Sequence, residues 1–304
     1  MSYDLNDMLA FLQVVESGSF TLAADQLGIP KANLSRKVSR LEAGLGITLL
    51  ERSTRSQHLT EAGKRFLVHC KRVHEERELA TASVSELLHQ YKGDLKIGAS
   101  IATGQQVLRP ALASFMRQYP ELNLQLSLIN RRVDFIEEGF DVVIRIGQLD
   151  DSNLIAKKLG HIRRHFYASP KYLANNTQLI DLASLAEHQL LVINPTNNDP
   201  RLAVISDKGE QQLIKQKPRL LVNDYAMLEQ AIIDGLGVGV LPDYLCKTAI
   251  ETGKLVQVLP QWGLKGVDVY ALYPKSRGKI PKVKAFIEFV TKLYGDTLRP
   301  ISSS

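Results

Sequence analysis

A chain of 304 residues with 44% hydrophobic content holds enough apolar material for two or three packed domains, which excludes a disordered chain and a single small module. No apolar run approaches the ~18 residues of a membrane span, and the N-terminus lacks a basic segment followed by an apolar one, so the expected location is the cytoplasm with no membrane partner. The net charge of +6 is modest, and Cys70 and Cys246 lie in different expected domains, which makes a disulfide framework or a thiolate metal site improbable and leaves both as buried apolar fillers rather than redox triggers.

Ser19 is a usable N-cap, and Phe20, Ala23, Ala24 and Leu27 follow at helical spacing until Gly28 ends the segment. Pro30 fits the opening of a second helix, whose apolar set Leu34, Val38, Leu41 and Leu45 repeats at three and four residues. The opposite face carries Lys31, Asn33, Arg36, Lys37 and Arg40, which combines charge for phosphates with an amide able to bond an adenine edge. An amphipathic helix with five polar positions is ordinary by itself, but two short helices broken by Gly-Ile-Pro read as a helix-turn-helix. Beyond Gly46, Leu49 to Glu51 and Gln57 to Leu59 are spaced to pair as short strands around a basic tip of Arg52 and Arg55, a wing suited to a phosphate or a narrow minor groove. From Lys31 to Arg72 ten Lys or Arg stand against three Glu, a local net of +7, whereas Asp4, Asp7, Glu16 and Asp25 make the preceding segment acidic.

From Thr60, a possible N-cap with Glu61 in the first turn, the pattern predicts one long helix up to the breaking signal at Gly93. Phe66, Cys70, Val73, Arg77, Ala80, Val84, Leu87 and Tyr91 alternate spacings of four and three, a coiled-coil seam with only Arg77 polar. Such a seam would pair two chains and present two recognition helices to a two-fold-related DNA site. The alternative is a helix packed on its own domain, against which the flanking charges leave little apolar surface outside the seam.

Beyond Gly93 strands and helices alternate: Leu95 to Ala99, a helix to about Gln118, Leu122 to Ile129, a short helix, then Val142 to Ile146. A second set runs through Phe166 to Ser169, Leu190 to Ile193, Leu220 to Val222, a helix from Tyr225, Val238 to Leu241 and Leu255 to Val258. Val267 to Tyr273 reads as one more strand and Lys282 to Tyr294 as an amphipathic helix. The expectation is a mostly parallel sheet in two α/β lobes. Ser100 and Thr103 fall between the first strand and its helix, where hydroxyls and backbone N–H groups suit a carboxylate or phosphate, or simply cap the helix. Asn130 and Arg145, at the ends of the next two strands, should emerge near the same rim, with a structural salt bridge the competing role for Arg145.

Residues 5 to 63, from LNDMLAFLQVVESGSFTLAADQLGI through LLERSTRSQHLTEAG, resemble the winged helix-turn-helix of the LysR-type transcriptional regulators. The phrases LIAKKLG at 154–160, ASPKYL at 168–173 and GLGVGVLP at 235–242 look like recurrent segments of that family's effector domain. The resemblance implies a multi-domain α/β protein: a winged helix-turn-helix over 1–60, a dimerising linker helix over 61–92, and a two-lobed periplasmic-binding-protein-like effector domain. Lobe I is expected at 93–163 with 268–295, lobe II at 164–267, and a tail at 296–304. It also implies binding of double-stranded promoter DNA, a small-molecule effector held at the turn after the first strand, and a homodimer or homotetramer. Within that frame Lys31, Ala32 and Asn33 are expected at base edges, and Arg36 at a guanine or a phosphate. Ser35, Lys37, Arg40 and Thr21 are expected on the DNA backbone, and Arg52 and Arg55 in the wing. Lys31 and Asn33 occupy positions that vary in such families, so no recognised sequence carries over, and Pro30 stands where a capping hydroxyl is expected.

No catalytic constellation, metal set or cofactor is expected. The pair Gly98 and Gly104 lacks the spacing and the Lys-Ser/Thr of a Walker loop, and Gly235, Gly237 and Gly239 follow a helix rather than a strand, so a tight turn explains them. His161 and His165 lie on extended chain with no carboxylate expected nearby. The rival readings are a small-molecule-binding protein whose helix-turn-helix serves only association, and an α/β enzyme.

Overall fold

The computed structural model describes residues 3–52, 57–87, 91–130, 138–147, 149, 154–193 and 202–298, and the chain divides into two compact units, Met1–His89 and Gln90–Ser304. In the first unit, α1 (Leu5–Ser17), α2 (Phe20–Leu27) and α3 (Lys31–Leu45) are followed by a two-stranded wing, β1 (Leu50–Arg52) against β2 (Gln57–Leu59), and by the long helix α4 (Glu61–Leu87). The starts and stops are those the sequence dictates. The Asp4 and Ser19 side chains accept from the first N–H groups of α1 and α2, and Gly28 takes φ 63° at the turn, where a side chain would be strained. Leu34, Val38 and Leu41 of α3 are fully buried with Phe11, Val14 and Ala23, each large apolar side chain contributing roughly 1.5–3 kcal/mol. Thr60 caps α4 by accepting from the Gly63 N–H at 2.9 Å, and Gly63 has no room for a side chain, since a Cβ would stand 2.2 Å from the Leu49 carbonyl oxygen.

The linker helix differs from the expected seam in its first half. Cys70 is fully buried in the core of this unit, with Phe66 and Val73 packed against the same cluster, so these three positions face their own domain. Ala80 and Val84 are exposed, and the Leu87 side chain lies outside the description. Tyr91 lies beyond the end of α4, already within the second unit, where its ring stands 4.9 Å from that of Tyr119. A periodic apolar stripe says only that a face is covered, not by which chain.

The second unit is built on a sheet of order β10-β7-β11-β6-β12-β5-β3-β4. Parallel β3 (Gly93–Ala99), β4 (Leu122–Leu128) and β5 (Val142–Ile146) belong to one lobe, and parallel β7 (Leu190–Ile193), β10 (Leu220–Val222) and β11 (Val238–Pro242) to the other. Between them run two long antiparallel strands, β6 (Leu154–Ala168) and β12 (Val256–Pro274), which join the lobes. A hairpin of β8 (Leu202–Ser206) and β9 (Gln211–Ile214) is attached to β12. The sheet is therefore mixed rather than mostly parallel, and the two segments expected at 255–258 and 267–273 are one strand with three register shifts.

Helix α5 opens at Ile101–Thr103, widens into a π turn over Gly104–Leu108 and continues as Arg109–Gln118. Among the described residues four more α-helices follow: α6 (Pro170–Ala174), α7 (Tyr225–Ile233), α8 (Asp243–Glu251) and α9 (Pro281–Thr297). Lobe II has one core on each face of its sheet, Phe166 with Tyr172 and Val240 on one side, Tyr167 with Leu228, Ile232 and Cys246 on the other. In lobe I α9 returns to pack Phe286 and Phe289 around Phe115 of α5, with ring centroids 5.5 and 4.8 Å away.

Candidate DNA interface and effector cleft

The first turn of α3 is open. Pro30 supplies no side-chain cap, and while its carbonyl accepts from the Asn33 and Leu34 N–H groups, those of Lys31 and Ala32 have no acceptor among the described residues. Two free backbone donors at a helix N-terminus, beside the exposed side chains of Lys31, Ala32, Asn33 and Arg36, form a positive, hydrogen-bonding surface suited to phosphate and base edges. Thr21, on α2, is also exposed. Arg36 lies back along its own helix, its guanidinium 2.5 Å from Asn33 Oδ1. With that oxygen engaged, the pair offers only donors outward, which matches the acceptor pair of guanine; the bidentate adenine contact expected for Asn33 requires the pair to part.

Arg40 and Lys37 have a structural role that spacing did not reveal. Asp7, in the first turn of α1, has a fully buried side chain and accepts both arms of Arg40, at 2.6 and 2.7 Å, with Lys37 at 3.6 Å. A bidentate pair of this kind fixes α3 against α1 and so sets the angle at which its N-terminus projects. Glu42 continues the anchoring from the other end, accepting from the Leu49 and Leu50 N–H groups at 2.9 and 3.1 Å to hold the start of the wing. Ser35 is half-buried on the same helix; Arg55 and the Arg52 side chain lie outside the description.

In the second unit the turn after β3 does bring three of the expected residues together. Ser100 Oγ accepts from the Thr103 N–H at 3.2 Å and donates to Thr103 Oγ1 at 3.0 Å, and Asn130 Oδ1 accepts from the Ile101 N–H at 3.1 Å. Thr103 is fully buried and also receives the Tyr294 hydroxyl of α9 at 3.3 Å. Capping is thus what these side chains do in the free protein. Arg145, half-buried on β5, forms no ion pair among the described residues.

The histidines expected to lack carboxylates each have one. His161 Nδ1 lies 2.7 Å from Asp268, which Lys158 also reaches at 2.8 Å and to which Tyr270 donates; the lysine, then the histidine, hold that carboxyl well down, at about 2. His165 Nδ1 lies 2.8 Å from Asp243, which also accepts from the Tyr167 hydroxyl. These partners are 107 and 78 residues away in sequence and arrive only when β12 and α8 pack beside β6.

Residues 5–64 match the family described as "Bacterial regulatory helix-turn-helix protein, lysR family", and residues 89–294 match "LysR substrate binding domain". The chain belongs to the LysR-type transcriptional regulators. An HTH-type transcriptional regulator of Xanthomonas campestris pv. campestris (strain 8004) is 37% identical over 300 residues, covering 97% of this chain and 87% of that one. Among solved structures, CrgA of Neisseria meningitidis is similar at 31% identity and TM-score 0.62, covering 97% of this chain and 100% of that one. Full-length AphB of Vibrio cholerae is similar at 32% identity and TM-score 0.59, covering 95% and 99%.

As a LysR-type regulator the chain is a DNA-binding transcription factor and not an enzyme. Its glycine cluster fits that: Gly235 takes φ 78° just after α7, and a Cβ on Gly237 would meet the Gln189 carbonyl oxygen at 2.1 Å, so both serve the turn into β11. Both thiols are buried, and burial pushes Cys70 up to about 12 and raises Cys246 as well, which disfavours the thiolate form of each. No helix among the described residues is long and apolar enough to cross a membrane.

Proposed function

We propose that this LysR-type regulator reads a partly palindromic promoter site through the first turn of α3. Lys31, Ala32 and Asn33 approach base edges, and Arg36 turns between Asn33 and a guanine or phosphate. Lys37 and Arg40 hold the helix while lending charge to the DNA backbone, together with Ser35 and Thr21. The observation that carries this reading is the uncapped N-terminus of α3 with its two free N–H groups. Arg52 and Arg55 are assigned to the wing. Binding to genomic fragments against random DNA across a salt series tests it: selective binding to one fragment supports the regulator, and equal, steeply salt-dependent binding everywhere leaves only a basic surface.

We assign pairing of two copies to the distal half of α4, because Ala80 and Val84 are exposed there, Val84 at 57%, on an otherwise charged helix; Leu87 holds the next position of the sequence repeat. A homodimer built this way, and a homotetramer by further pairing, presents recognition helices to two half-sites in the cytoplasm. Val84→Glu should dissociate it, read by sedimentation. The effector, a small molecule, is assigned to the cleft between lobe I (93–163 with 268–295) and lobe II (164–267), at the turn of Ser100 and Thr103 with Asn130 and Arg145 on its rim.

A further inference from the structure

The net charge of the chain does not sit where its helix-turn-helix does. Residues 1–89 carry eleven Lys or Arg and eleven Asp or Glu, so the DNA-binding unit is neutral as a whole and the entire +6 falls on residues 90–304. The basic stretch of the first unit acts at contact range, but a neutral unit supplies no net long-range attraction for a polyanion; that attraction comes from the effector unit. Its densest part is the crossing from β12 to α9, where Lys275, Arg277, Lys279, Lys282 and Lys284 stand with no acid between Asp268 and Glu288.

This crossing is anchored from beneath. Arg277 donates to Asp141 Oδ1 at 2.5 Å, and the other oxygen of that carboxylate accepts from the Lys96 N–H of β3 at 2.8 Å. Lys275, Lys279 and Lys284 remain exposed, and none of the three has an ion pair among the described residues. Helix stability does not account for the cations: the first turn of α9 contains no acid, and positive charge at a helix N-terminus is the unfavourable sign. A charged surface kept only for solubility intersperses both signs, whereas this one has a single sign on an anchored turn.

We propose that this surface is a second DNA contact, at which Lys275, Lys279 and Lys284 take phosphates of the duplex flanking the site read by α3. It rests on the promoter reading in one respect, that the first unit brings the DNA. Once that unit is bound, the flanking phosphates stand at high effective concentration, and individually weak contacts add to the affinity. Lysine suits the role, since a compact charge on a flexible stem follows a phosphate backbone without reading bases. The surface therefore adds affinity and salt dependence but no sequence preference.

The test is binding of the full chain to duplexes of ~20 and ~60 bp, of random and of promoter sequence, across a salt series. On the long duplexes Lys275→Gln combined with Lys279→Gln and Lys284→Gln should make the fall of log K with log salt shallower by at least ~2 and weaken low-salt binding at least ~10-fold, because each phosphate contact contributes about 0.9 to the slope. On the short duplexes it should match the parent protein, at an unchanged melting temperature. Should the triple variant melt early, Lys279→Gln alone, with a slope change of about 0.9, gives the same readout. Lys208→Gln, Lys215→Gln and Lys254→Gln together remove the same charge from exposed positions of lobe II and should leave the long-duplex slope as it is. An equal drop in that control would reduce the effect to net charge and overturn the proposal. An unchanged slope in the first triple variant overturns it too, and if transcription from a bound promoter then falls, the surface belongs to a protein partner instead. Preference for promoter over random sequence is expected to be the same in all these variants, so its absence breaks the promoter reading, whereas loss of the length dependence breaks this one.

Discussion

The two helix N-termini to which we assign the two kinds of recognition in this chain are finished in opposite ways. Helix α3 begins at Pro30 with no side-chain cap and two N–H groups without acceptors, whereas in α5 the Ile101 and Thr103 N–H groups are taken by Asn130 and Ser100. An open N-terminus is poised for an anion that is always the same, the DNA phosphate. A closed one holds its own shape until a ligand competes with the cap, which suits a site that must distinguish occupied from empty. The missing hydroxyl at position 30 thus leaves donors available to DNA rather than removing them.

The largest expected effect shows what holds the open end in place. Asp7→Ala removes the buried carboxylate that both arms of Arg40 grip and should lower stability by about 2 kcal/mol, moderated because Arg40 is itself largely exposed and regains water. Binding to cognate and random DNA should fall together, because the whole helix loses its angle; a loss confined to the cognate site would mean that the brace does not set the pose. Thermal melts and DNA titrations of the same variant read both.

Next in size, Asn33→Ala should cost ~1–3 kcal/mol on the cognate site and little on random DNA. Equal losses on both would make the first turn of α3 a phosphate clamp only. At the closed end, Ser100→Ala frees the Thr103 N–H and should destabilise the effector unit by about 1 kcal/mol. If inorganic phosphate then restores part of the melting temperature in the variant and not in the parent protein, α5 has become the open kind of terminus; no difference would erase the contrast.

What the sequence made legible follows from range. The helix-turn-helix could be read because its signals are local: Ser19, Gly28 and the Leu34, Val38, Leu41 repeat all act within one or two turns. The brace was hidden because Asp7 and Arg40 are 33 residues apart and each reads alone as an ordinary surface charge. The turn at Ser100 was legible as a cluster, since strand ends in an α/β lobe converge by topology, but its residues' present occupation as caps was left even with ligand binding. Strand β6 was read only at its apolar end, because Lys157, Lys158, His161 and Arg163 interrupt any hydrophobic alternation in its first half. Lys158 and His161 are tolerated there because Asp268 of β12 pairs with both, and Lys157 and Arg163 because solvent reaches them. For the same reason the carboxylates beside both histidines had no signal in spacing.

The smallest effect tests that spine between the lobes. Lys158, foremost, and His161 hold the Asp268 carboxyl at about 2, below its ordinary 3.8, so the folded protein favours the ionised form more than the unfolded chain does. Its contribution is therefore complete above pH 3.8 and is lost as the pH falls through the folded value near 2. Asp268→Asn should melt below the parent protein at neutral pH, and the gap should close on acidification between about pH 4 and pH 2. Lys158 is mostly exposed and salt screens the pair, so the gap should also shrink in high salt. A gap constant from pH 5 down to about pH 2 would mean that Asp268 holds β6 and β12 together through hydrogen bonding to Tyr270 and His161 irrespective of its charge.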